Sequence, residues 1–244
     1  MKRLFRAVMM LILLLIIVLV AAVFFIDRLA KAGIEEGTGY ALGVNVDAEG
    51  VRLDLLDGQL TMDRLDLANP EGFASPHLMQ IGKFDLTVRL ATMLSDTIVV
   101  DRFEVDGLDL NVEQGLPQNN VVEVIDHVRK LIASGAKPKR EGKKVKVNRI
   151  TIRNIVANFH YPGSSLLGGS PTVRLPVIEL TDVTSDDPAG VAIHELAARV
   201  FPAVVKAVIE RGGASVGGFD LKDLGSTLGD LDDLLGGMNI KVGQ

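Results

Sequence analysis

Four histidines, His77, His127, His160 and His194, are the side chains that could hold a metal or move a proton near neutral pH. They lie far apart along the chain, with none of the close spacings that bring two ligands to one ion. Each reads better as a surface or hydrogen-bonded histidine. Ser134-Gly135-Ala136-Lys137 has the S-x-x-K spacing of a serine nucleophile beside a lysine base, but it stands where a helical pattern runs out into a basic linker. Gly212 to Gly218 is as glycine-rich as a phosphate loop, yet Gly218 occupies the place of the phosphate-binding lysine. The acidic pairs Asp186-Asp187 and Asp232-Asp233 sit in turn and helix contexts and read as solvated surface. The sequence has no cysteine, which excludes a disulfide scaffold, a thiolate nucleophile and cysteine-ligated zinc or iron–sulfur sites. No catalytic, cofactor-binding or metal-ligating residue is assigned. The chain reads as a non-enzyme with no cofactor.

Two surface chemistries remain. The first is charge. The chain has 244 residues and a net charge of −5, which gives no reason to expect nucleic acid as a partner. That total hides a basic tip (Lys2, Arg3, Arg6) and seven basic residues against Glu141 between Lys137 and Arg149, leaving −14 on the remainder. Lys139, Arg140, Lys143, Lys144 and Lys146 are candidates for contact with anionic lipid head groups or with an acidic partner. The other reading of this stretch is a solvated linker. The second chemistry is apolar. Leu53, Leu55, Phe84, Leu86, Val88, Phe103, Val105, Ile150 and Ile152 fall on the apolar sides of predicted strands. They could form an ordinary closed core or line a site for an acyl chain.

The elements that must position these residues begin with an anchor. Ala7 to Ile26 is an unbroken apolar run, and 20 residues at about 1.5 Å each match the ~30 Å hydrocarbon core of a bilayer. Three basic residues precede it and Arg28 and Lys31 follow, a bias toward a cytoplasmic N-terminus. A cleaved signal peptide is the competing reading, with Ala30-Lys31-Ala32 as its site. Its apolar region would run only about 7–15 residues, and Asp27 and Arg28 interrupt the approach. The run therefore reads as a retained signal-anchor, 1–26, with a juxtamembrane helix over 27–43.

From 44 to 185 the apolar period becomes two. Val51, Leu53 and Leu55 lead to a turn at Asp57-Gly58, and Leu60, Met62, Leu65 and Leu67 return with a one-residue phase slip at Asp63-Arg64. Further alternation runs over Phe84–Leu90, Ile98–Val112, Val145–Phe159 and Val173–Leu180. It slips again at Asp101-Arg102 and Asp106-Gly107. A slip turns the apolar set to the wrong face unless a β-bulge restores it, and repeated bulges curve a sheet. An antiparallel sheet with one solvated face is the expectation. An inserted helix, 120–134, capped by Asn119 or Asn120, precedes a basic linker at 136–149. Segment 190–244 carries a helical stripe from Ile193 to Val208 containing Pro202 and a flexible hinge at 212–218. It also has a short leucine seam from Leu221 to Leu235 and an edge strand over Met238, Ile240 and Val242. The predicted fold is α+β: an N-terminal transmembrane helix, then a curved, bulged antiparallel sheet with flanking amphipathic helices.

The order of parts over residues 1–132 resembles the N-terminal region of the AsmA-like family. A basic signal-anchor is followed by a helix ending in Ala41-Leu42-Gly43-Val44, then by a hairpin closing on Leu67-Ala68-Asn69-Pro70-Glu71-Gly72-Phe73. Leu94-Ser95-Asp96-Thr97-Ile98-Val99-Val100-Asp101 and Phe103-Glu104-Val105-Asp106-Gly107-Leu108-Asp109-Leu110-Asn111 come next, and Asn119-Asn120 opens the following helix. The resemblance implies a bacterial inner-membrane anchor with a periplasmic sheet forming an apolar groove, related in architecture to bridge-like lipid transfer proteins. It implies lipid binding or transfer, or maintenance of the envelope, with membrane lipids as partners. The groove is shorter than in typical members, since six to eight strands at about 4.8 Å span only ~30–40 Å. The alternative function is a structural accessory subunit of a membrane protein complex, or a homo-oligomer.

Overall fold

A computed structural model describes residues 2–115, 119–134, 143–160, 171–181, 183–184, 193–212, 215–216, 219–220 and 239–243. Helix α1, Lys2–Leu42, carries the apolar run and its continuation without a break. It stops at Gly43, φ +72°, whose N–H closes on the Gly39 carbonyl at 2.8 Å. The side chains of residues 2–4, 7, 16 and 18–24 are outside the description. Among the described residues no helix is long and apolar enough to cross a membrane.

The sheet follows as β1 (Val46–Glu49), β2 (Arg52–Asp54), β3 (Gln59–Met62), β4 (Arg64–Ala68), β5 (His77–Val88) and β6 (Thr97–Glu113). After α2 (Asn120–Ser134) come β7 (Lys144–Val147), β8 (Arg149–His160) and β9 (Thr172–Thr181). Helix α3 (Ile193–Gly212) contains Pro202, and β10 (Ser215–Val216), β11 (Phe219–Asp220) and β12 (Asn239–Val242) complete the described elements. Strand order is β1-β4-β5-β6-β8-β9-β12, with β2 beside β3, β3 beside β5 and β7 beside β6.

Three expectations change. The sheet is mixed rather than antiparallel, because β7 and β8 pair with β6 in parallel. A parallel neighbour needs a crossover, and α2 supplies it. Leu55 lies in the turn after β2 rather than on a strand. Ser215-Val216, expected within a flexible hinge, pairs antiparallel with Phe219-Asp220. The leucine seam 221–235, the acidic pairs at 186–187 and 232–233, and Lys137, Lys139 and Arg140 lie outside the described residues.

The slip at Asp101-Arg102 is a bulge of β6 alone, where Thr87 pairs with Arg102 and Val88 with Val100, whereas those at Asp63-Arg64 and Asp106-Gly107 share one cause. Met62 pairs with Phe84 and Leu65 with Ile81; Phe84 pairs with Val105 and Ile81 with Leu108. Val105 then pairs with Ile152 and Leu108 with Ile155, while Ile152 meets Ile178 and Ile155 meets Leu175. In every one of these strands two residues intervene where strict alternation allows one. The interruptions at Asp63, Gly82, Gly107, Asn154 and Pro176 therefore stand side by side across the sheet. Each strand keeps its apolar residues on one face by inserting one residue at the same height. The residue types fit. Gly107 and Asn154 have φ of +88° and +56°, and the Asn154 amide donates to Asp106 Oδ1. A Cβ on Gly82 would stand 2.5 Å from the Asp106 carbonyl oxygen, so the two backbones meet there in van der Waals contact. Pro176 lies beyond the reach of β12, whose pairing ends at Val242–Ile178, and so needs no N–H on that side.

On the apolar face, Val105, Leu108, Leu110, Ile152, Ile155, Leu175 and Ile178 form one core with α2 (Val121, Val124, Ile125, Val128) and α3 (Phe201, Val204, Val205, Val208). Asn119 caps α2 by accepting from the Val122 N–H at 2.9 Å. Asn120 is fully buried. Its Oδ1 accepts from the Glu113 and Val121 amides, and its Nδ2 donates to Asn69 Oδ1 and the Asn111 carbonyl. Glu113 in turn accepts from the Ala74 and Ser75 amides at 2.6 and 2.8 Å. This network ties the end of β6, the start of α2 and the β4–β5 loop together at one end of the sheet, the far end.

Two predictions follow from this packing. Gly82→Ala destabilises by about 1–3 kcal/mol, whereas Gly33→Ala, in open space on α1, stabilises by up to about 1 kcal/mol. Urea unfolding of the detergent-solubilised chain, followed by circular dichroism, reads both. For Glu113, burial pushes the carboxyl up, but the Ala74 and Ser75 amides outweigh it and hold the group below its ordinary 4.5. A carboxyl lowered on folding adds stability that is complete above pH 4.5 and drains as pH falls through the lowered value. Glu113→Gln costs about 1 kcal/mol near neutrality, allowing for its partial exposure, and the variant loses less than the parent on acidification.

Candidate functional site

At the opposite, near end of the sheet the chain makes two neighbouring turns. After β2, Asp54 Oδ1 accepts from the Leu56 and Asp57 amides at 2.9 and 3.1 Å, an Asx turn that leads into Gly58 at φ +66°. After β5, Leu90–Thr92 form one 3-10 turn before β6 begins. The turns touch: the Val88 N–H donates to the Gly58 carbonyl at 2.8 Å, and a Cβ on Gly58 would stand 2.8 Å from Leu90 Cδ2. The parallel pairing of Thr97 with Lys144 puts the start of β7 at the same end.

The near end is fixed to α1 by polar contacts along the outer edge of β1 and β2. Asp27 Oδ1 accepts from the Leu53 N–H at 2.7 Å and Glu35 Oε1 from the Ala48 N–H at 2.9 Å. Lys31 bridges Glu35 and Asp47 at 3.2 and 3.1 Å. The Lys31 ammonium holds the Asp47 carboxyl below the usual carboxylate range. Edge amides that would otherwise recruit another strand are thus occupied by α1. As the chain advances from 47 to 53, its partner on α1 recedes from 35 and 31 to 27. The hairpin therefore runs back along α1 toward the apolar segment.

The nine apolar residues singled out from the sequence divide into three groups. Val105, Ile150 and Ile152 are buried in the core beneath the helices. Leu53, Phe84, Leu86, Val88 and Phe103 are half-buried. Leu55 is exposed in its turn. Cover thins along β5, from fully buried Leu78 and Met79 to half-exposed Ile81–Val88. Leu60, Ile98 and Val145 share this half-open condition. Leu53 pairs with Leu60, Leu60 with Leu86, and Leu86 with Phe103, so the patch is continuous across four strands. Phe84 and Phe103 meet edge to face, with centroids 4.9 Å apart. The result is an aliphatic and aromatic surface, closed by helices on one side and open toward the near end.

Of the basic candidates, Lys143 and Lys144 are exposed at the near end, and Lys143 Nζ donates to the Met93 carbonyl. Lys146 is half-buried on β7. Lys139 and Arg140 fall outside the described residues. The histidines are dispersed. His77 stands 3.9 Å from Asp66, His127 contacts the Tyr40 carbonyl, His160 contacts Asn111, and His194 packs edge to face on Tyr40. Among the described residues no group of three or more His, Asp or Glu is placed to hold a metal. A separate cleft of about 760 Å³, between the last turns of α1 and the loop at 69–71, carries Glu35, Glu36, Glu71 and Glu123.

Leu90, expected at the end of a strand, lies in the 3-10 turn after β5, and sequence reading did not single out Leu56 or Leu94 as site residues. Their signal was present: large aliphatic side chains inside turn segments, where no core can take them.

Residues 1–158 match the family model described as the AsmA family. No curated protein matches the chain.

Asp27→Ala leaves the Leu53 N–H without its acceptor at a cost of about 1 kcal/mol. Hydrogen exchange of amides 51–56 then quickens by about fivefold, while the β8 amides keep their rate. An unchanged rate at 51–56 would show that the hairpin is held by other contacts.

Proposed function

The chain belongs to the AsmA family, and from that premise we propose that it is a non-catalytic, membrane-anchored envelope protein that binds or transfers lipid over the half-open apolar end of its sheet. Ala7–Ile26 of α1 is the anchor. In its support, the large apolar side chains described between Phe5 and Ile17 are 47 to 69% exposed, a surface that water-soluble proteins do not leave bare. With the basic tip in the cytoplasm, the sheet stands on the periplasmic side of a bacterial inner membrane.

The observation that carries the reading is the position of the patch. Leu53, Leu60, Phe84, Leu86, Val88 and Phe103 open at the end of the sheet that α1 holds beside its apolar segment. An acyl chain leaving the leaflet meets this surface first. Each methylene moved from water onto such a lining gains about 0.8 kcal/mol, so a few are enough to hold a chain against exchange. Lys143, Lys144 and Lys146 supply positive charge for an anionic head group. The acidic cleft at Glu35, Glu36, Glu71 and Glu123 favours a second reading, in which the chain is an accessory subunit docked through that cleft on a basic partner.

Native mass spectrometry of the full chain, released from detergent and compared before and after organic extraction, separates the two. One or more phospholipids per chain are expected, with occupancy lost in Leu86→Glu and kept in Glu123→Gln. A lipid-free, monodisperse chain would overturn the lipid reading, and a large assembly sensitive to Glu123→Gln would establish the second.

A further inference from the structure

We propose that the two near-end turns form an interfacial docking surface, in which Leu55, Leu56, Leu90 and Leu94 enter the leaflet from which α1 emerges. This rests on the anchor reading of α1 and adds a second, independent membrane contact.

The argument begins with exposure. Leu56 and Leu94 are 86 and 98% exposed, and Leu55 and Leu90 are 42 and 47% exposed. Single exposed leucines are ordinary, but these are four on two turns that touch each other through Gly58 and Leu90. The backbone of both turns is already satisfied internally, by Asp54 in one and by the Thr92, Met93 and Ser95 amides in the other. The side chains are therefore displayed on ordered turns.

Height then selects the occupant. The Asp27–Leu53 bond fixes β2 beside the residue that follows the apolar run. Asp54 advances about 3.3 Å past Leu53 in the receding direction, and the turn that carries Leu55 and Leu56 begins there, so its tip stands at least that far past Asp27. On α1 that is the height of residues about two positions back or more, at about 1.5 Å per residue. The tip is thus level with the final turns of the apolar run, where Phe25 is also exposed. A bilayer that takes up Ala7–Ile26 has the Leu55–Leu56 turn at its surface, and Leu90 beside it through Gly58.

The charges agree with an interfacial position. Lys143 and Lys144 flank the second turn, Lys144 N–H donating to the Asp96 carbonyl at 3.0 Å. Of the acids nearby, Asp54 is committed to its turn, Asp27 to the Leu53 amide and Asp101 to Arg89, which leaves Asp57 and Asp96. Apolar side chains below and lysines at the rim are the arrangement of a surface-resting membrane contact.

The chain has no tryptophan, so single substitutions are unambiguous reporters. Leu56→Trp, Leu94→Trp, Phe25→Trp and Glu71→Trp, the last at the far end, would each be placed in the full chain. The host is phosphatidylcholine vesicles, with and without phosphatidylglycerol, containing lipid spin-labelled near the head group. Blue-shifted, strongly quenched emission is expected at 56, 94 and 25, and unquenched emission at 71. Quenching at 25 but not at 56 and 94 would overturn the docking surface and leave the anchor standing. Absence of quenching at 25 would overturn both. With Lys143→Glu and Lys144→Glu, quenching at 94 is expected to fall in the phosphatidylglycerol vesicles alone; a fall in both would overturn the role of the lysines.

Discussion

A strand edge fastened to a helix sets the geometry of this molecule. Strand β1 and strand β2 present unpaired amides along their outer side, and α1 answers two of them with the carboxylates of Asp27 and Glu35. An uncapped edge would be a template for another strand. Capping it from a helix turns that liability into a ruler. The helix rises 1.5 Å per residue and the strand about 3.3 Å, so two bonds fix both the height and the direction of the hairpin relative to α1. All that faces the near end inherits its position from those bonds: the apolar patch, the two turns and the first lysines of β7.

The second constraint is the line of interruptions from Asp63 to Pro176. A sheet with one apolar face cannot shift phase in a single strand without turning half of that strand's side chains into water. Here five neighbouring strands shift together, and the apolar rows on either side of the line remain continuous. The close approach of Gly82 to the Asp106 carbonyl lies on this line. Helices α2 and α3 pack on the core that β6, β8 and β9 build, while the near part of β5 stays partly uncovered. Closed core and open surface share this face, and on the near side of the line they divide by strand: Ile152 on β8 is buried, whereas Leu86 on β5 is half-exposed.

Much of this was legible in the residues. Alternation located most of the main strands, and Asn119 and the stripe from Val121 to Val128 located α2, because these signals depend on residues a few positions apart. The phase slips at Asp63-Arg64 and Asp106-Gly107 were equally local. Their alignment was not, since it depends on which strands are neighbours. Nor was the parallel pairing of β6 with β8, which follows from where α2 returns the chain. For the candidate site the apolar lining was legible only as a set. Val105 and Phe103 look alike in the sequence, and only the placement of the helices decides that one is buried and the other half-open. Leu56 and Leu94 escaped notice because a turn carries no periodicity to read.

The edges of the sheet bear on how such a surface can work. One edge is capped by α1. At the other, among the described residues, β12 covers only the end of β9, and Pro176 stands on the uncovered part without an N–H to offer. A neighbouring copy that tried to lengthen the sheet would meet an occupied edge on one side and an interrupted one on the other. Six steps of about 4.8 Å across the strand order give a width near 30 Å, comparable with the thickness of one bilayer's hydrocarbon core. On the lipid-binding reading proposed above, a chain held on this sheet would be carried over no more than about that distance. On the same reading the half-open end, beside the apolar segment of α1, is the place where such a chain would enter and leave. A helix laid over Phe84 and Leu86 would complete the core and close that end of the sheet.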